Sequence, residues 1–471
     1  MSDNVVLVHW HDLGRHLELY SPHGGPGPHL EALAARGVLF TQAYAAAPLC
    51  SPSRGALLTG RYPHSNGITG LAHHGWEYRA GVRTLPQILR DAGWRTALFG
   101  MQHESANPGG LGYDSYDVTD SDCDHVVAEA SDWLEARAAD RRRGDERPFL
   151  LNAGFFEVHR PYPESRYTPV DPASISVPDY LPDTPEVRRD LAAFHGSITV
   201  ADRATGRLVD RIDDLGFGDD TWIVFFTDHG EAFPGAKSTL YGRGTGISFI
   251  VRPPRRLGLE ATVYDDLFSA VDLVPTLLDA LGLEIPADVE GVSHAGIFAP
   301  ETSVPDPEPR RREVFAEKDF HDAYDPIRAI RTLEFSYIEN YTERPALELP
   351  LDILESLSGQ ALGTGHLAPR PRVELYDLRS DPGETVNLAD HPAYSEVRRV
   401  LAIRLASWRE QTGDELLDDE TGSAIAAEFM TRHLASLSER DAPVPRSPRG
   451  RDRELRNAPR SGDGREHCPR P

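Results

Sequence analysis

Trp222-Ile223-Val224-Phe225-Phe226-Thr227-Asp228-His229-Gly230 is the most apolar strand-like run in the chain, and it ends on an acid, an imidazole and a glycine. Six aromatic and β-branched residues without polar alternation read as a strand buried on both faces. That is the pattern of a parallel sheet covered by helices. The pattern recurs. Asn4-Val5-Val6-Leu7-Val8 leads into His9-Trp10-His11-Asp12-Leu13-Gly14, residues 94–99 lead into Gly100-Met101-Gln102-His103, and residues 149–154 precede His159. Between these runs, residues 26–37, 52–60, 84–93, 124–143 and 186–215 read as helices, with Gly37 and Gly93 as stops. Such alternation predicts an α/β fold with a mostly parallel central sheet between helices. Ligand sites in such sheets gather at the carboxyl ends of the strands. His11, Asp12, His103, His159, Asp228 and His229 are therefore expected to meet in one cleft.

The pattern changes near residue 300. Residues 304–309 are Pro- and acid-rich and read as a linker. Strand-like runs follow at 313–317, 327–331 and 335–338, then a helix at 393–411, which predicts a smaller C-terminal α+β domain with an antiparallel sheet. The expected organisation is a catalytic domain over 1–303, a small domain over 304–439 and a disordered basic tail over 440–471. That tail holds nine Arg against five acids.

Composition excludes other classes. The 471 residues carry a net charge of −25, which speaks against nucleic acid as a partner, since phosphate contacts need a basic face. Mean hydropathy is −0.43, and no stretch approaches the roughly 20 apolar residues of a membrane span. Three cysteines, Cys50, Cys123 and Cys468, make no disulfide framework. With no signal-like segment at the N-terminus, the expected compartment is the cytoplasm. Only two of the 49 basic residues are lysines, Lys237 and Lys318, so each stands out in a chain that otherwise uses Arg.

The sharpest local signal is Cys50-Ser51-Pro52-Ser53-Arg54, continuing to Leu58-Thr59-Gly60-Arg61. Pro52 suits the first turn of a helix, and Cys50 and Arg54 then lie at its positive end, a natural anion site. This string resembles the sulfatase signature. Further segments are similar to the same family: His11-Asp12-Leu13-Gly14-Arg15, Gly100-Met101-Gln102-His103, Thr227-Asp228-His229-Gly230 with Lys237, and Glu374-Leu375-Tyr376-Asp377-Leu378. His64-Ser65-Asn66-Gly67 looks closest to the sulfamidase-like branch.

The resemblance implies an alkaline-phosphatase-like large domain and a metal-dependent hydrolase of sulfate esters or sulfamates that releases inorganic sulfate. It implies a formylglycine made from Cys50 by a maturation enzyme, and one divalent ion, Ca²⁺ in most of the family, held by His11, Asp12, Cys50, Asp228 and His229. By the same resemblance Arg54, His103, His159 and Lys237 carry catalysis, and His321 contacts a small aryl or sugar sulfate. A homodimer is a further expectation. The chain departs from the family pattern twice. His11 stands where the family has an acid, which opens Mn²⁺ or Zn²⁺, and Met101 stands where it has a lysine. A phosphodiesterase or phosphonate hydrolase of the same superfamily, and a catalytically lapsed sulfate-binding relative, are the alternative readings.

Overall fold

In the computed structural model, residues 2–298 and 311–440 are described, with side chains through 434. The linker expected at 304–309 and the tail beyond residue 440 lie outside the described residues. Ten strands precede the C-terminal part: β1 (Asn4–Trp10), β2 (Val38–Phe40), β3 (Ala43–Tyr44), β4 (Arg95–Gly100), β5 (Ser115–Asp117), β6 (Phe149–Gly154), β7 (Thr221–Thr227), β8 (Phe249–Arg252), β9 (Thr262–Tyr264) and β10 (Phe268–Ser269). Eight of them form one sheet in the order β5-β4-β6-β1-β7-β8-β2-β9, while β3 and β10 pair separately. The pairings are parallel except at β8, which runs antiparallel to β7 and β2.

Side chains alternate across a strand, and β1 shows the consequence. Val6, Val8 and Trp10 enter one core with the helices Cys123–Arg142 and Pro185–Asp214. Val5 and Leu7 enter another with the helices Cys50–Thr59, Leu85–Asp91 and Leu273–Ala280. Every residue of β1 and of β7 is buried, because both faces carry helices. This is why those segments read as continuous apolar runs.

A second sheet of four antiparallel strands, β11 (Val314–Phe320), β12 (Tyr324–Arg331), β13 (Phe335–Asn340) and β14 (Val373–Asp377), follows in chain order. The helix Ser395–Thr412 lays Leu401, Leu405 and Trp408 on it. The same cluster takes in Ala56 and Tyr62, so the small sheet is joined through apolar contact to the helix that begins at Cys50. A last helix, Asp419–Arg440, was not expected from the sequence; its weak apolar patterning gives no clear periodic signal. Residues through His433 form one contiguous unit.

Candidate active site

β4, β6, β1 and β7 are four consecutive strands of the large sheet. Their carboxyl ends deliver His103, His159, His11 with Asp12, and Asp228 with His229. Cys50 begins the helix Cys50–Thr59, two residues earlier than expected, and that helix stops at Gly60, whose φ of +68° is the left-handed form glycine adopts freely. Asp12 and His103 also have positive φ, 55° and 57°. Such backbone is uncommon for non-glycine residues and clusters at functional sites.

The strand ends interlock through hydrogen bonds. Asp228 Oδ1 accepts from the amides of Asp12 and His229, each at 3.0 Å. Arg54, 1% exposed, donates from Nη2 to Asp228 Oδ2 at 3.0 Å and to the Trp10 carbonyl at 3.3 Å, and its Nη1 lies 2.6 Å from His9 Nδ1. Ser53 Oγ donates to the Asp228 carbonyl at 2.5 Å. His229 Nδ1 donates to the Gly230 carbonyl at 2.9 Å, which turns Nε2 inward. That Nε2 sits 3.3 Å from Cys50 Sγ and 3.2 Å from Asp12 Oδ1. His11 Nδ1 lies 2.7 Å from Asp12 Oδ1 and 3.4 Å from Asp228 Oδ2.

His11, Asp12, Cys50, Asp228 and His229 thus form one buried group whose donor atoms lie within 4.8 Å of one another, a set able to hold a metal ion. Two carboxylates, two imidazoles and a thiol at these distances are a donor set that a divalent ion would fit. The backbone-held ring of His229 has the oriented form of a metal ligand.

Lys237 closes the other side. Its Nζ donates to Asp12 Oδ2 at 2.7 Å and to Asp352 Oδ2 at 3.1 Å. His159 Nε2 lies 3.6 Å from Asp12 Oδ2 and 3.9 Å from Asp352 Oδ2, and its Nδ1 is 2.5 Å from the Arg160 carbonyl. Beside Asp352 a cavity of about 800 Å³ opens, lined among others by Arg160, Tyr162, Arg189 and Ser356.

Burial opposes every charge here, so each protonation state is decided by neighbours. Burial raises the Asp12 carboxyl, but Lys237 and the histidines overcome it and hold the group well below the usual range. Burial opposes the charge on Lys237, yet Asp12, Cys50 and Asp352 keep it firmly protonated. The Cys50 thiol is opposed by burial and pulled well down by His11, Lys237 and His229. Burial lowers His159 to about 4, with Lys237 and His11 adding to it against the pull of Asp12. A cysteine at a helix start with Lys237 and two histidines around it has the setting of a reactive side chain rather than a packing residue.

Sequence comparison is decisive on the family. The model of the family described as Sulfatase matches residues 3–283. The chain belongs to the sulfatase family. It is thus an enzyme of the sulfuric ester hydrolase class. N-sulphoglucosamine sulphohydrolase of Homo sapiens is 29% identical over 462 residues, covering 87% of this sulfatase and 90% of that protein. An ulvan-active sulfatase of Formosa agariphila is 27% identical, covering 88% and 75%. Among solved structures, BT4656 in complex with its substrate D-glucosamine-2-N,6-O-disulfate superposes with a TM-score of 0.69 at 19% identity, covering 88% of this chain and 99% of that one. The fold is shared with that solved structure. No helix among the described residues is long and apolar enough to cross a membrane.

Of the residues singled out in the sequence, the sulfatase brings His11, Asp12, Cys50, Arg54, His159, Lys237, Asp228 and His229 into this one cluster. The His103 ring centroid lies 5.9 Å from that of His11. His321 stands apart: its Nδ1 pairs with Asp322 at 3.0 Å, and it acts electrostatically on His74. Lys318, the other rare lysine, is buried against Asp325 at 2.8 Å and reaches none of these groups. Met101 is half-buried at the end of β4, its amide bonded to the Gly154 carbonyl at 2.8 Å.

Three neighbours were not anticipated. Asp352 comes from a short helical turn, Leu351–Leu354, with no motif around it. His9 precedes the first motif residue by two and meets Arg54. Arg160 follows His159 and makes a two-pronged pair with Asp190 at 2.7 and 2.8 Å. Only the His159-Arg160-Pro161 string offered a local hint, and only for the last of these.

Proposed function

We propose that this chain is a divalent-metal-dependent sulfatase that removes a sulfate ester or sulfamate group from a small sugar or aryl substrate, with Cys50 in its formylglycine form as the nucleophile. The observation that carries this reading is Cys50 at the first turn of its helix, 3.3 Å from His229 Nε2 inside the buried five-residue donor cluster. His11, Asp12, Asp228 and His229 would hold the ion with Cys50, and when bound it supplies a Lewis acid that polarises sulfuryl oxygens and acidifies the nucleophilic hydroxyl. Two imidazoles beside two carboxylates suit Mn²⁺ or Zn²⁺ better than Ca²⁺, which prefers an all-oxygen shell. The formylglycine hydrate offers two hydroxyls, one to take the sulfuryl group and one whose deprotonation lets sulfate leave.

The chain's own side chains divide the remaining work. Arg54 fixes Asp228 and adds positive field at the helix start. Lys237, between Asp12 and Asp352, balances charge that builds on the sulfuryl oxygens, the role left open by Met101. His159 gives its Nδ1–H to the Arg160 carbonyl, so Nε2 is the atom that would take the proton released by the attacking hydroxyl and pass it to the departing oxygen or nitrogen. His103 is tied through Nε2 to His73 Nδ1 at 2.8 Å, and its buried Nδ1 has no hydrogen-bond partner among the described residues. That nitrogen is the base for the second hydroxyl.

The sugar class is supported by the names of the human and Formosa relatives and by the cavity beside Asp352. A formylglycine-generating enzyme is the implied maturation partner. A cytoplasmic setting accords with the unpaired, buried Cys50 and Cys123. Intact mass of the Cys50 peptide, with inorganic sulfate release from p-nitrophenyl sulfate and from an N-sulfated glucosamine, tests the reading. An unmodified cysteine together with no sulfate release removes it and leaves a lapsed sulfate-binding relative. A second reading, phosphodiester or phosphonate hydrolysis, is favoured specifically by Met101 and by the two imidazole donors. Faster turnover of a p-nitrophenyl phosphodiester than of the sulfate would establish it.

A further inference from the structure

A cavity of about 600 Å³ is lined by the segments that follow β1 and β7 and by the ends of β12 and β14, and it shares no lining residue with the cavity beside Asp352. Its volume is in the range of small-molecule sites. Three arginines line it, Arg15, Arg243 and Arg331. Arg331 is spent on Glu384, with bonds of 2.8 and 3.3 Å. Arg15 and Arg243 form no ion pair among the described residues. Arg15 Nη1 donates to the Thr41 carbonyl at 2.8 Å. Arg243 Nε and Nη1 donate to the Gly235 and Gly383 carbonyls at 2.7 and 2.8 Å. Two guanidiniums without carboxylates stand out in a chain of net charge −25.

Both cations are held in place by aromatic rings. Arg15 Cζ lies 4.5 Å from the centre of the Tyr44 ring, and Arg331 Cζ lies 5.0 Å from it. Arg243 Cζ lies 4.3 Å from the Tyr241 ring and 5.2 Å from that of Tyr180. A guanidinium stacked on a ring keeps its plane while its edge N–H groups remain donors. Glycines make the room. A Cβ on Gly246 would meet Arg15 Nε and Nη2 at 2.4 Å, and one on Gly242 would meet Arg331 Nη2 at 2.2 Å. The Gly246 φ of −65° is open to any residue, so close approach is what requires glycine there. The other carboxylates at the cavity are engaged or exposed: Glu231 accepts from the Tyr180 hydroxyl at 2.6 Å, and Asp179 faces solvent. Burial raises the Tyr44 phenol, but Arg15 and Arg331 outweigh it and bring the group down to about 8. The local field is therefore positive.

We propose that this cavity is a second oxyanion site, separate from the Cys50 cluster, which takes a sulfate group on Arg15 and Arg243. The fork of a guanidinium matches two oxygens of such a group, and Arg243 Nη2 has no hydrogen-bond partner among the described residues. The group is either free sulfate, the product of this enzyme class, or a sulfate carried by a sugar unit. The chemistry at the two arginines is the same, and the volume leaves room for the sugar. The inference uses no property of Cys50 and stands whether or not that residue is converted.

The test titrates the full-length protein near pH 8 with sodium sulfate, with a sulfated disaccharide and with the same disaccharide unsulfated, reading the tyrosinate absorption. An anion on Arg15 competes with the Tyr44 phenolate, so binding is expected to remove absorption that Tyr44→Phe lacks from the start. Loss with sulfate alone marks the free ion as sufficient, and loss with only the sulfated disaccharide marks a sugar subsite; both support the site. Arg243→Gln, which leaves Arg15 and Arg331 beside Tyr44, is expected to weaken the response about tenfold or more, and Arg243→Lys to weaken it less. Sodium chloride at matched ionic strength is the control on the wild type. The proposal is overturned by no loss with either sulfated probe, by equal loss with chloride or with the unsulfated disaccharide, or by an unchanged response in a folded Arg243→Gln. An unconverted Cys50 would abolish turnover and leave the Tyr44 response intact, so failure of the catalytic reading is told apart from failure of this one.

Discussion

Lys237 Nζ stands 2.7 Å from Asp12 Oδ2 and 3.1 Å from Asp352 Oδ2, so one buried cation links the end of β1 to a turn more than 300 residues later. Lys237 is 3% exposed and Asp12 0%. Removing one partner of such a pair leaves a buried charge without compensation. Lys237→Met is expected to cost about 3–5 kcal/mol of stability and to abolish sulfate release. Asp352→Asn, at the more exposed end, should cost less and mainly change turnover. Thermal unfolding and a sulfate-release assay on the two variants check both statements.

Cys50→Ala is expected to be inactive while remaining folded, since a thiol is replaced by a smaller apolar group at a helix start. Cys50→Ser should be severely impaired, because one hydroxyl can accept a sulfuryl group but has no second hydroxyl to expel it. Unchanged turnover of Cys50→Ser would exclude the formylglycine route. Mass analysis of the peptide around residue 50 in the wild type supplies the chemical counterpart.

Asp12→Ala and Asp228→Ala should each lose the metal proposed for the Cys50 cluster. Asp228 also organises the amides of Asp12 and His229, so its loss disturbs both strand ends. Metal analysis of each purified variant is the measurement, and a full complement of metal at this cluster in either would refute the ligand set.

His103→Ala is expected to reduce turnover by about 10²–10⁴-fold, the usual worth of a positioned general base. If His103 acts on the second step, the sulfated enzyme should accumulate. A rapid-quench burst of the released phenol, absent in the wild type, distinguishes this from simple loss of binding.

Glu104 gives a pH-dependent stability. The residue is 1% exposed, and its Oε2 has no hydrogen-bond partner among the described residues. Burial pushes it from the ordinary 4.5 up to about 8, with Arg54 offsetting only part. The folded state therefore holds this proton more tightly than the unfolded chain. Stability from this group is greatest below pH 4.5 and declines as pH rises towards 8. Glu104→Gln, which cannot ionise, should remove that decline and be more stable than the wild type at pH 8 by about 2–5 kcal/mol. Denaturant midpoints at pH 5 and pH 8 for both proteins check the sign.

The sequence alone was enough for the frame of the molecule. Continuous apolar runs at residues 4–8 and 222–227 could only be strands buried on both faces, and the helical runs between them left a parallel sheet as the arrangement. Because such sheets collect their ligands at strand carboxyl ends, the residues following those runs were legible as one site before any contact was known. Cys50 with Arg54 could be read because their chemistry depends on local spacing at a helix start.

Tertiary structure decided what depends on long-range packing. The strand order places β4, β6, β1 and β7 side by side, and no local pattern encodes which strand pairs with which. Asp352 has unremarkable neighbours in sequence and acquires meaning only from Lys237, which lies across from it. Arg54 turns inward to Asp228, 174 residues away, because burial makes a charge seek its nearest partner, and that partner is set by the fold and not by spacing along the chain.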